Sequence, residues 1–244
     1  MPAHLNPHIS VDCVVFGFDG NELKVLLINR DPSENPAQSG KLKLPGDLII
    51  HGEVLIDAAD RVLTELTGLH NIYLKQFGIF DDPFRLKPSF DLDWLRKRSG
   101  LRVERVITVA YYSLIKIDQS LPTDLSIAYN ARWYPCTSIP PLIFDHNRIA
   151  DRGLETIRRE ILIEPLCFEL LPEKFTLNQL QRLYEAILGC SLDNRNFRKK
   201  IQRLPYIVPL NERQNGVPHK PARLHVFNNK KYTLLKKDHN VFIL

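Results

Sequence analysis

The stretch from Leu44 to Leu69 constrains the fold of this chain more than any other segment. It begins with a loop that contains proline and two glycines, and it continues with apolar residues at helical spacing. Such spacing predicts an amphipathic helix with one face packed inward. Gly68 is typical of the left-handed residue that ends a helix. The segment therefore predicts a loop that leads into a buried helix. The apolar stripe consists of Ala58, Ala59, Val62, Leu63 and Leu66.

This loop and helix resemble the Nudix box, whose pattern is G-x5-E-x7-R-E-U-x-E-E-x-G-U, with U a bulky aliphatic residue. Asp47 stands where the first glycine belongs, and Val62 and Leu66 replace two glutamates. In Nudix hydrolases those carboxylates hold the divalent ions needed for pyrophosphate hydrolysis, and valine and leucine offer no oxygen ligand. The resemblance implies a Nudix-like α/β/α sandwich with a mixed sheet and a defective metal site. The matching residues are Glu53, Arg61, Leu63, Glu65, Gly68 and Leu69.

The surviving carboxylates of the box, Glu53 and Glu65, have two interpretations. They can pair with Arg61, since charged residues four apart on a helix are neighbours. Alternatively, they belong to a weakened metal site that still supports hydrolysis. We expect the first, and therefore a protein that is not an enzyme and has no catalytic residues, no metal and no cofactor.

The charge of the chain is distributed unevenly. Residues 165–244 carry 14 basic and 6 acidic residues, whereas residues 1–164 carry 19 basic and 22 acidic residues. Basic character confined to a terminal portion suggests that this portion meets a polyanion, although a solubilising surface has the same composition. At 244 residues the chain exceeds one typical domain. We therefore predict one domain at 1–164 and a second at 165–244.

The second domain has the pattern of a winged helix-turn-helix. Thr176 is a good N-cap for an amphipathic helix over Leu177–Leu188, and Asp193 can cap a basic helix over Asn194–Leu204. A short strand, a polar loop and a second strand follow. Helix, turn, basic helix and hairpin together predict this DNA-binding fold, so the fold class of the chain is α+β.

The basic helix has the residue types needed to read DNA. Arg, Asn and Gln make bidentate contacts with base edges, and the N-terminal part of a recognition helix usually makes them. Flanking basic residues contact phosphates. The alternative is a solvated basic face on an ordinary helical hairpin. The candidate base contacts are Asn194, Arg195, Asn196 and Arg198, the candidate phosphate contacts are Lys199, Lys200 and Arg203, and Lys220 and Arg223 are candidate DNA contacts in or beside the wing loop.

The two halves together resemble the family of Nudix-related transcriptional regulators. Besides the degenerate box, the resemblance rests on PPLIFDH at 140–146, FTLNQLQRLYEAI at 175–187 and NRNFRKK at 194–200. Within the family these segments are most similar to the branch of arabinose-responsive repressors of sugar utilisation. The resemblance implies homodimers that bind double-stranded operator DNA and release it when a small molecule occupies the Nudix-like domain.

The expected effector is a pentose such as arabinose, and the alternative is an ADP-ribose-like nucleotide in a regulator of NAD metabolism. Sugar hydroxyls need carboxylates, amides and cations beside an aromatic face. Each candidate residue also has a structural interpretation, because most polar residues near a site only frame it. The candidates, chosen by strand position and chemistry, are Lys43, Asp47, Glu53, Tyr111 and Asp145.

Two other classes of protein compete with a regulator. One is a magnesium-dependent Nudix pyrophosphohydrolase with an accessory domain, against which Val62 and Leu66 argue. The other is a protein-interaction module with a basic tail, which would bind every polyanion alike. The four scattered cysteines indicate neither a zinc site nor a disulfide framework. Since no apolar run could span a bilayer and the N-terminus does not resemble a signal peptide, we expect a cytoplasmic protein without a membrane partner.

Three further features of the first domain bear on a ligand site. Residues 81–102 form a long connection, which could frame a ligand pocket or lie on the surface. Asp145 is placed to cap a helix that extends to about Leu162. The strand predictions cover Val11–Phe18, Lys24–Asn29, Ile72–Phe80, Arg105–Ile115 and Ala131–Pro135.

Overall fold

The computed structural model describes residues 4–31, 41–86, 89–117, 129–216, 218 and 220–237. The chain divides into two compact units. The N-terminal unit comprises residues 1–17 and 24–156, and the C-terminal unit comprises residues 18–23 and 157–244. The division after Thr156 lies within a helix, earlier in the chain than the boundary that we predicted at 164.

The N-terminal unit contains a sheet of seven strands among the described residues. They are β1 (Leu5–Phe18), β2 (Leu23–Asn29), β3 (Leu42–Lys43), β4 (Gly46–Ile50), β5 (Lys75–Phe80), β6 (Ile107–Lys116) and β7 (Arg132–Pro135). The order of neighbours is β3-β2-β1-β6-β5, while β4 also pairs with β1 and β7 with β2. The strands predicted at Val11–Phe18 and Lys24–Asn29 are confirmed as the neighbours β1 and β2, and the strand predicted at Arg105–Ile115 is confirmed as β6, whose middle is buried.

Helix α1 (Leu55–Thr67) packs against this sheet through the predicted apolar stripe. All five residues of the stripe are buried, in one cluster with side chains from β1, β2 and β6. The helix ends at Gly68, whose φ is 77° and whose N–H donates to the Thr64 carbonyl at 2.9 Å. A side chain at this φ would be strained, so the glycine stop follows from the backbone geometry.

The connection between β5 and β6 contains helix α2 (Ser89–Ser99), which we did not predict. Leu95 of this helix is buried with Leu48 of β4 and with Val103 and Val106. The apolar residues of the helix do not recur at helical spacing, so its periodicity gave no signal. The helix corrects our interpretation of residues 81–102 as an irregular connection.

Helix α3 (His146–Glu160) starts directly after Asp145. We expected the Asp145 side chain to cap this helix. Its carbonyl oxygen accepts from the Ile149 N–H at 3.2 Å, and its carboxylate binds the guanidinium of Arg85, with 2.6 Å between Oδ1 and Nη2. The helix starts at Asp145 as predicted, the side-chain cap stays a prediction, and the pairing with a residue 60 positions away was not predicted.

The C-terminal unit has the predicted order of helices and strands. Thr176 Oγ1 accepts from the Gln179 N–H at 3.2 Å, and Gln179 Oε1 accepts from the Thr176 N–H at 2.8 Å, which completes a capping box. Asp193 Oδ1 accepts from the Asn196 N–H at 2.8 Å. Both predicted caps are confirmed. The elements are α4 (Leu177–Leu188), α5 (Asn194–Ile201), β8 (Ile207–Arg213), β9 (Arg223–Phe227) and α6 (Asn229–Lys237).

Two details of this unit were not predicted. Helix α5 ends at Ile201 rather than Leu204. Helix α6 follows the β8–β9 hairpin, and Tyr232 anchors it through an edge-on contact with Tyr206, with 5.4 Å between ring centroids. The α4–α5 pair packs through Tyr184 and Phe197, whose ring centroids are 5.7 Å apart. The hairpin and the helix pair thus form one small body.

Two of the four cysteines lie in the protein core. Cys13 and Cys167 are buried as small apolar residues, and burial raises the pKa of the Cys167 thiol to about 12. In the described part of the chain, no helix has the length and apolar character that crossing a membrane requires.

Candidate ligand cleft and nucleic-acid interface

The carboxylates that survive from the Nudix box are bound to one guanidinium. Glu53 Oε1 accepts from Arg61 Nε at 2.7 Å, and Glu53 Oε2 accepts from Arg61 Nη2 at 2.9 Å. Arg61 Nη1 donates to Glu65 Oε2 at 3.2 Å. The hydrogen bonds from Arg61 are the main reason that the pKa of Glu53 is lowered. Arg61 thus bridges the two carboxylates, as our first interpretation of them predicted.

The two positions where the box has lost glutamates lie in the core. Val62 is fully buried and Leu66 is almost fully buried. Neither side chain offers an oxygen atom to a hard cation. Among the described residues, no group of three or more His, Cys, Asp or Glu side chains is placed to hold a metal. This donor set does not suit a divalent ion.

A cleft of the N-terminal unit lies elsewhere, between the sheet, α2 and the start of α3. It is small, with a cavity volume of about 40 Å³. Trp94 and Phe144 supply aromatic faces. Its charged or titratable side chains are Asp12, Lys43, Asp47, Arg85, Arg98 and His146.

Arg85 organises one wall of the cleft. Its guanidinium makes a two-pronged contact with Asp145, through Nε at 3.1 Å and Nη2 at 2.6 Å from Oδ1, and it also donates to Thr108 Oγ1. Its Nη2 lies 3.9 Å from Asp12 Oδ2. Such forked pairing fixes the plane of the guanidinium as well as its position. Asp145 therefore serves the cleft by holding Arg85.

Lys43 and His146 form the cleft floor near Asp12. Lys43 Nζ donates to the Gly46 carbonyl, and burial lowers the pKa of Lys43 to about 8. His146 Nδ1 accepts from the Leu44 N–H at 3.0 Å, which requires the neutral imidazole. Burial, followed by the charges of Lys43 and Arg85, also lowers the pKa of His146. The imidazole can therefore donate only through Nε2.

Gly46 is required beside Asp12 because of a close approach. A Cβ at position 46 would lie 1.7 Å from Asp12 Oδ1 and 2.9 Å from the Val11 carbonyl oxygen. Burial raises the pKa of Asp12, while the charges of Arg85 and Lys43 oppose that rise. Gly46 therefore leaves room for the Asp12 carboxyl group near Arg85 and Lys43.

The aromatic wall combines rings with cations. The guanidinium of Arg98 lies 5.4 Å from the Trp94 ring centroid, within cation–π range, and Arg98 Nη2 donates to Asp47 Oδ2 at 2.7 Å. Phe144 has a φ of 55°, and its N–H donates to Asp91 Oδ2 at 3.1 Å. Positive φ is uncommon for an aromatic residue and marks a constrained position. The wall suits a ligand with a flat ring and polar substituents.

The predicted effector residues are only partly gathered by the structure. Lys43 and Asp47 line the cleft, and Asp145 holds one of its walls. Glu53 is bound to Arg61, and Tyr111 packs in the core cluster, so neither is among the cleft residues. The residues that sequence reasoning missed are Asp12, Arg85, Trp94, Arg98, Phe144 and His146.

A sequence signal existed for some of the missed residues. Phe144 and His146 lie in the PPLIFDH segment, which we used for the resemblance but interpreted only for Asp145. Arg85, Trp94 and Arg98 lie within 81–102, the connection that we considered as a frame for a pocket. Nothing local distinguished these three from surface residues.

In the C-terminal unit, helix α5 presents its polar side chains to solvent. Phe197 and Ile201 are buried, and every predicted DNA contact on or directly after the helix is exposed. Helix α4 fixes the N-terminal end of α5: Gln181 Nε2 donates to the Leu192 carbonyl at 3.0 Å, and Glu185 Oε1 accepts from the Leu192 N–H at 2.9 Å. The basic helix is thus held in place by α4 while its polar face is exposed to solvent.

The hairpin places the two predicted wing residues differently. Lys220 is exposed in the loop, whereas Arg223 is tied to the opposite strand, with Nε donating to the Leu210 carbonyl at 2.7 Å. The hairpin is extended by Phe175, which exchanges backbone hydrogen bonds with His225 at 3.0 and 2.8 Å. A strand before α4 that pairs with the hairpin is the arrangement expected of a winged helix.

Comparison with known proteins supports this description. Residues 167–227 match the family described as the NrtR DNA-binding winged helix domain. The crystal structure of Shewanella oneidensis NrtR complexed with a 27mer DNA has a TM-score of 0.66 and 25% identity, over 90% of this chain and 93% of that chain. A MutT/nudix family protein from Enterococcus faecalis has a TM-score of 0.59 and 21% identity, over 91% of this chain and 88% of that chain.

The chain has a Nudix-like α/β domain followed by a winged helix domain. The predicted fold class is confirmed. The chain is also 25% identical to the ADPR responsive transcriptional repressor NtrR of Acinetobacter baylyi, over 93% of this chain and 84% of that protein. In both the sequence and the structure comparisons, the similarity therefore extends through both domains.

Proposed function

We propose that this protein is a transcriptional repressor that binds operator DNA through its winged helix domain and is controlled by ADP-ribose bound in its Nudix-like domain. One observation carries the proposal: α5 is capped, packed against α4 and exposed along its polar face, in a domain that matches the NrtR DNA-binding winged helix. Helices of this kind read base edges in the major groove.

The DNA contacts that we propose are those predicted from the sequence. Arg195 and Asn196 lie in the first turn of α5 and are exposed, as base-reading residues must be. Lys199, Lys200 and Arg203 follow as exposed cations suited to phosphates.

For the effector, ADP-ribose is favoured over the sugar that we first expected. The Acinetobacter baylyi relative is an ADPR responsive repressor, and the comparisons give no support to a sugar. The cleft has aromatic rings at Trp94 and Phe144, which suit a flat base, beside the paired charges of Arg98 and Asp47. ADP-ribose is what remains of NAD after nicotinamide is lost, so we infer that the regulated genes serve NAD metabolism.

The effector must act by binding one arrangement of the protein better than another. We propose a homodimer whose two recognition helices match half-sites about one helical turn apart. Ligand binding would change the spacing of these helices, with α3 as the connecting lever. Structures of the free and ligand-bound dimer test this mechanism, and identical spacing of the two α5 helices would contradict it.

The experiment that tests the function is binding of the purified protein to its own upstream intergenic region. Moderate salt, excess nonspecific competitor, and a panel of ADP-ribose, pentoses and hexoses are required. We expect a specific complex that ADP-ribose alone dissolves. Release by a pentose would restore the sugar hypothesis. If competitor DNA abolishes all binding to the intergenic region, the regulator hypothesis is contradicted and an interaction module with a basic tail is favoured.

The competing enzymatic function is magnesium-dependent pyrophosphate hydrolysis. Val62 and Leu66 are buried, and Glu53 and Glu65, the two glutamates that match the box, are both bound to Arg61. We propose that the domain is a sensor rather than an enzyme. Release of AMP from ADP-ribose in the presence of magnesium would contradict this.

A further inference from the structure

The winged helix domain has a groove bordered by the start of α4, by α5 and by the β8–β9 hairpin. It has a volume of about 390 Å³. Its charged side chains are all arginines, and within the described residues no carboxylate lines it. We call it the arginine groove, after Arg198, Arg213 and Arg223.

Two of these arginines face each other across the hairpin. Arg213 of β8 and Arg223 of β9 are cross-strand partners. Like charges directly opposite each other destabilise a hairpin. The neighbouring carboxylate, Glu212, does not relieve the repulsion, because both of its oxygens accept hydrogen bonds from Lys174 Nζ, at 2.9 and 2.7 Å. The pair therefore has a cost that folding alone does not explain.

The hydrogen bonds of the two hairpin arginines go to uncharged oxygens. Arg213 Nη1 donates to the Pro221 carbonyl at 3.0 Å, and Arg223 Nε donates to the Leu210 carbonyl at 2.7 Å. These bonds orient the guanidinium groups, and no carboxylate among the described residues pairs with either of them. An anion between them would remove the repulsion.

Arg198 completes the groove from the side of α5. Successive helix residues are rotated by about 100°, so Arg198 lies beside the buried Phe197 rather than on the outermost face, which Arg195 and Lys199 occupy. Arg198 Nη2 donates to Asn178 Oδ1 at 2.8 Å, which holds the side chain at the start of α4. Its position differs from that expected of a base-reading residue.

We propose that the arginine groove holds backbone phosphates of one operator strand, through Arg198, Arg213 and Arg223, with Asn178 as a positioning residue. This inference rests on the proposed DNA-binding function. Guanidinium groups bind phosphate oxygens strongly, and such contacts set the register of a protein on DNA without reading its sequence. Arg198 is thereby moved from the predicted base contacts to the phosphate contacts, and Arg213 is added to them.

The test measures operator affinity and affinity for a scrambled duplex at several salt concentrations. In Arg198→Gln and Arg213→Gln, the slope of log K against log salt should become shallower by about 0.9 for each lost phosphate contact. Affinities for the operator and the scrambled duplex should fall by the same factor. Arg213→Lys keeps the charge and should keep the slope.

The matched control is Arg152→Gln, which removes an exposed arginine of α3 that pairs with Glu155. Its slope should equal that of the unsubstituted protein. A selective loss of operator preference in Arg198→Gln would show a base contact and overturn the assignment of Arg198. Unchanged slopes in both groove variants, while the unsubstituted protein still prefers its operator, would overturn the groove but not the function. If the unsubstituted protein does not prefer the operator over the scrambled duplex, the proposed DNA-binding function itself is contradicted.

Discussion

Arginines of the Nudix-like domain and of the winged helix domain satisfy their charges in different ways. Arg61, Arg85 and Arg98 each bind at least one carboxylate of the same domain. Within the described part of the chain, the arginines of the arginine groove, Arg198, Arg213 and Arg223, donate only to carbonyl or amide oxygens.

The difference reflects what surrounds each group. A charge that leaves water must be paired within the protein, or folding becomes unfavourable. An exposed cation has no such requirement and can remain available to a polyanion. The first domain thus uses paired arginines to build a small polar cleft, and the arginine groove of the second leaves its charges for a partner.

The largest expected effect comes from breaking the pair in the first domain. Asp145→Ala leaves the guanidinium of Arg85, 3% exposed, without its main partner. We expect the free energy of unfolding to fall by about 3–5 kcal/mol. Urea unfolding followed by tryptophan fluorescence reports on this domain, because Trp94 and Trp133 both belong to it. The double variant with Arg85→Met should lose less than Asp145→Ala alone, and an equal or larger loss would contradict the argument.

Lys43 provides a pH-dependent test of the rule that removing a charge from water costs free energy. Its pKa is lowered from 10.5 to about 8 by burial, so between these values the unfolded chain holds a proton that the folded protein has released. Stability therefore rises with pH across this window, by roughly 3 kcal/mol at most, and Lys43 gives it no pH dependence below the window. In Lys43→Met this rise should be absent. Unfolding free energies of both proteins from pH 7 to 10 measure it, and parallel curves would exclude the effect.

Substitutions on the exposed face of the winged helix domain should change DNA selectivity rather than stability. Asn196→Ala removes an exposed amide from the first turn of α5. We expect operator preference over a scrambled duplex to fall by about 1–3 kcal/mol, because one bidentate base contact is lost. Competition binding at fixed salt measures the ratio. Asn21→Ala, at an exposed position of the β1–β2 turn, is the control and should keep the preference.

The smallest effect is expected for stability at the arginine groove. Arg213→Gln removes an exposed charge whose hydrogen bond goes to a carbonyl oxygen. The local free energy of unfolding should change by less than about 0.5 kcal/mol, in either direction. Hydrogen exchange of the β8–β9 backbone amides measures this change. A loss of unfolding free energy comparable to that of Asp145→Ala would mean that the second domain also depends on its arginine charges. The two domains would then not differ in how they use arginine.

Much of the fold could be predicted because its signals are local. The stripe and glycine stop of α1, the capping box at Thr176 and the cap at Asp193 each depend on residues within a few positions of one another. Helix α2 was missed because its apolar residues lack helical spacing, and tertiary contacts through Leu95 stabilise it instead.

The sequence by itself determined the two-domain fold, the loss of box glutamates at Val62 and Leu66, and the basic helix α5. Only the tertiary structure decided that Asp145 binds Arg85, and that Lys43 and Trp94 share a cleft. The reason is physical. Helix periodicity and capping act within a few residues, whereas a pairing across 60 residues depends on how the whole sheet closes and on which groups it removes from water.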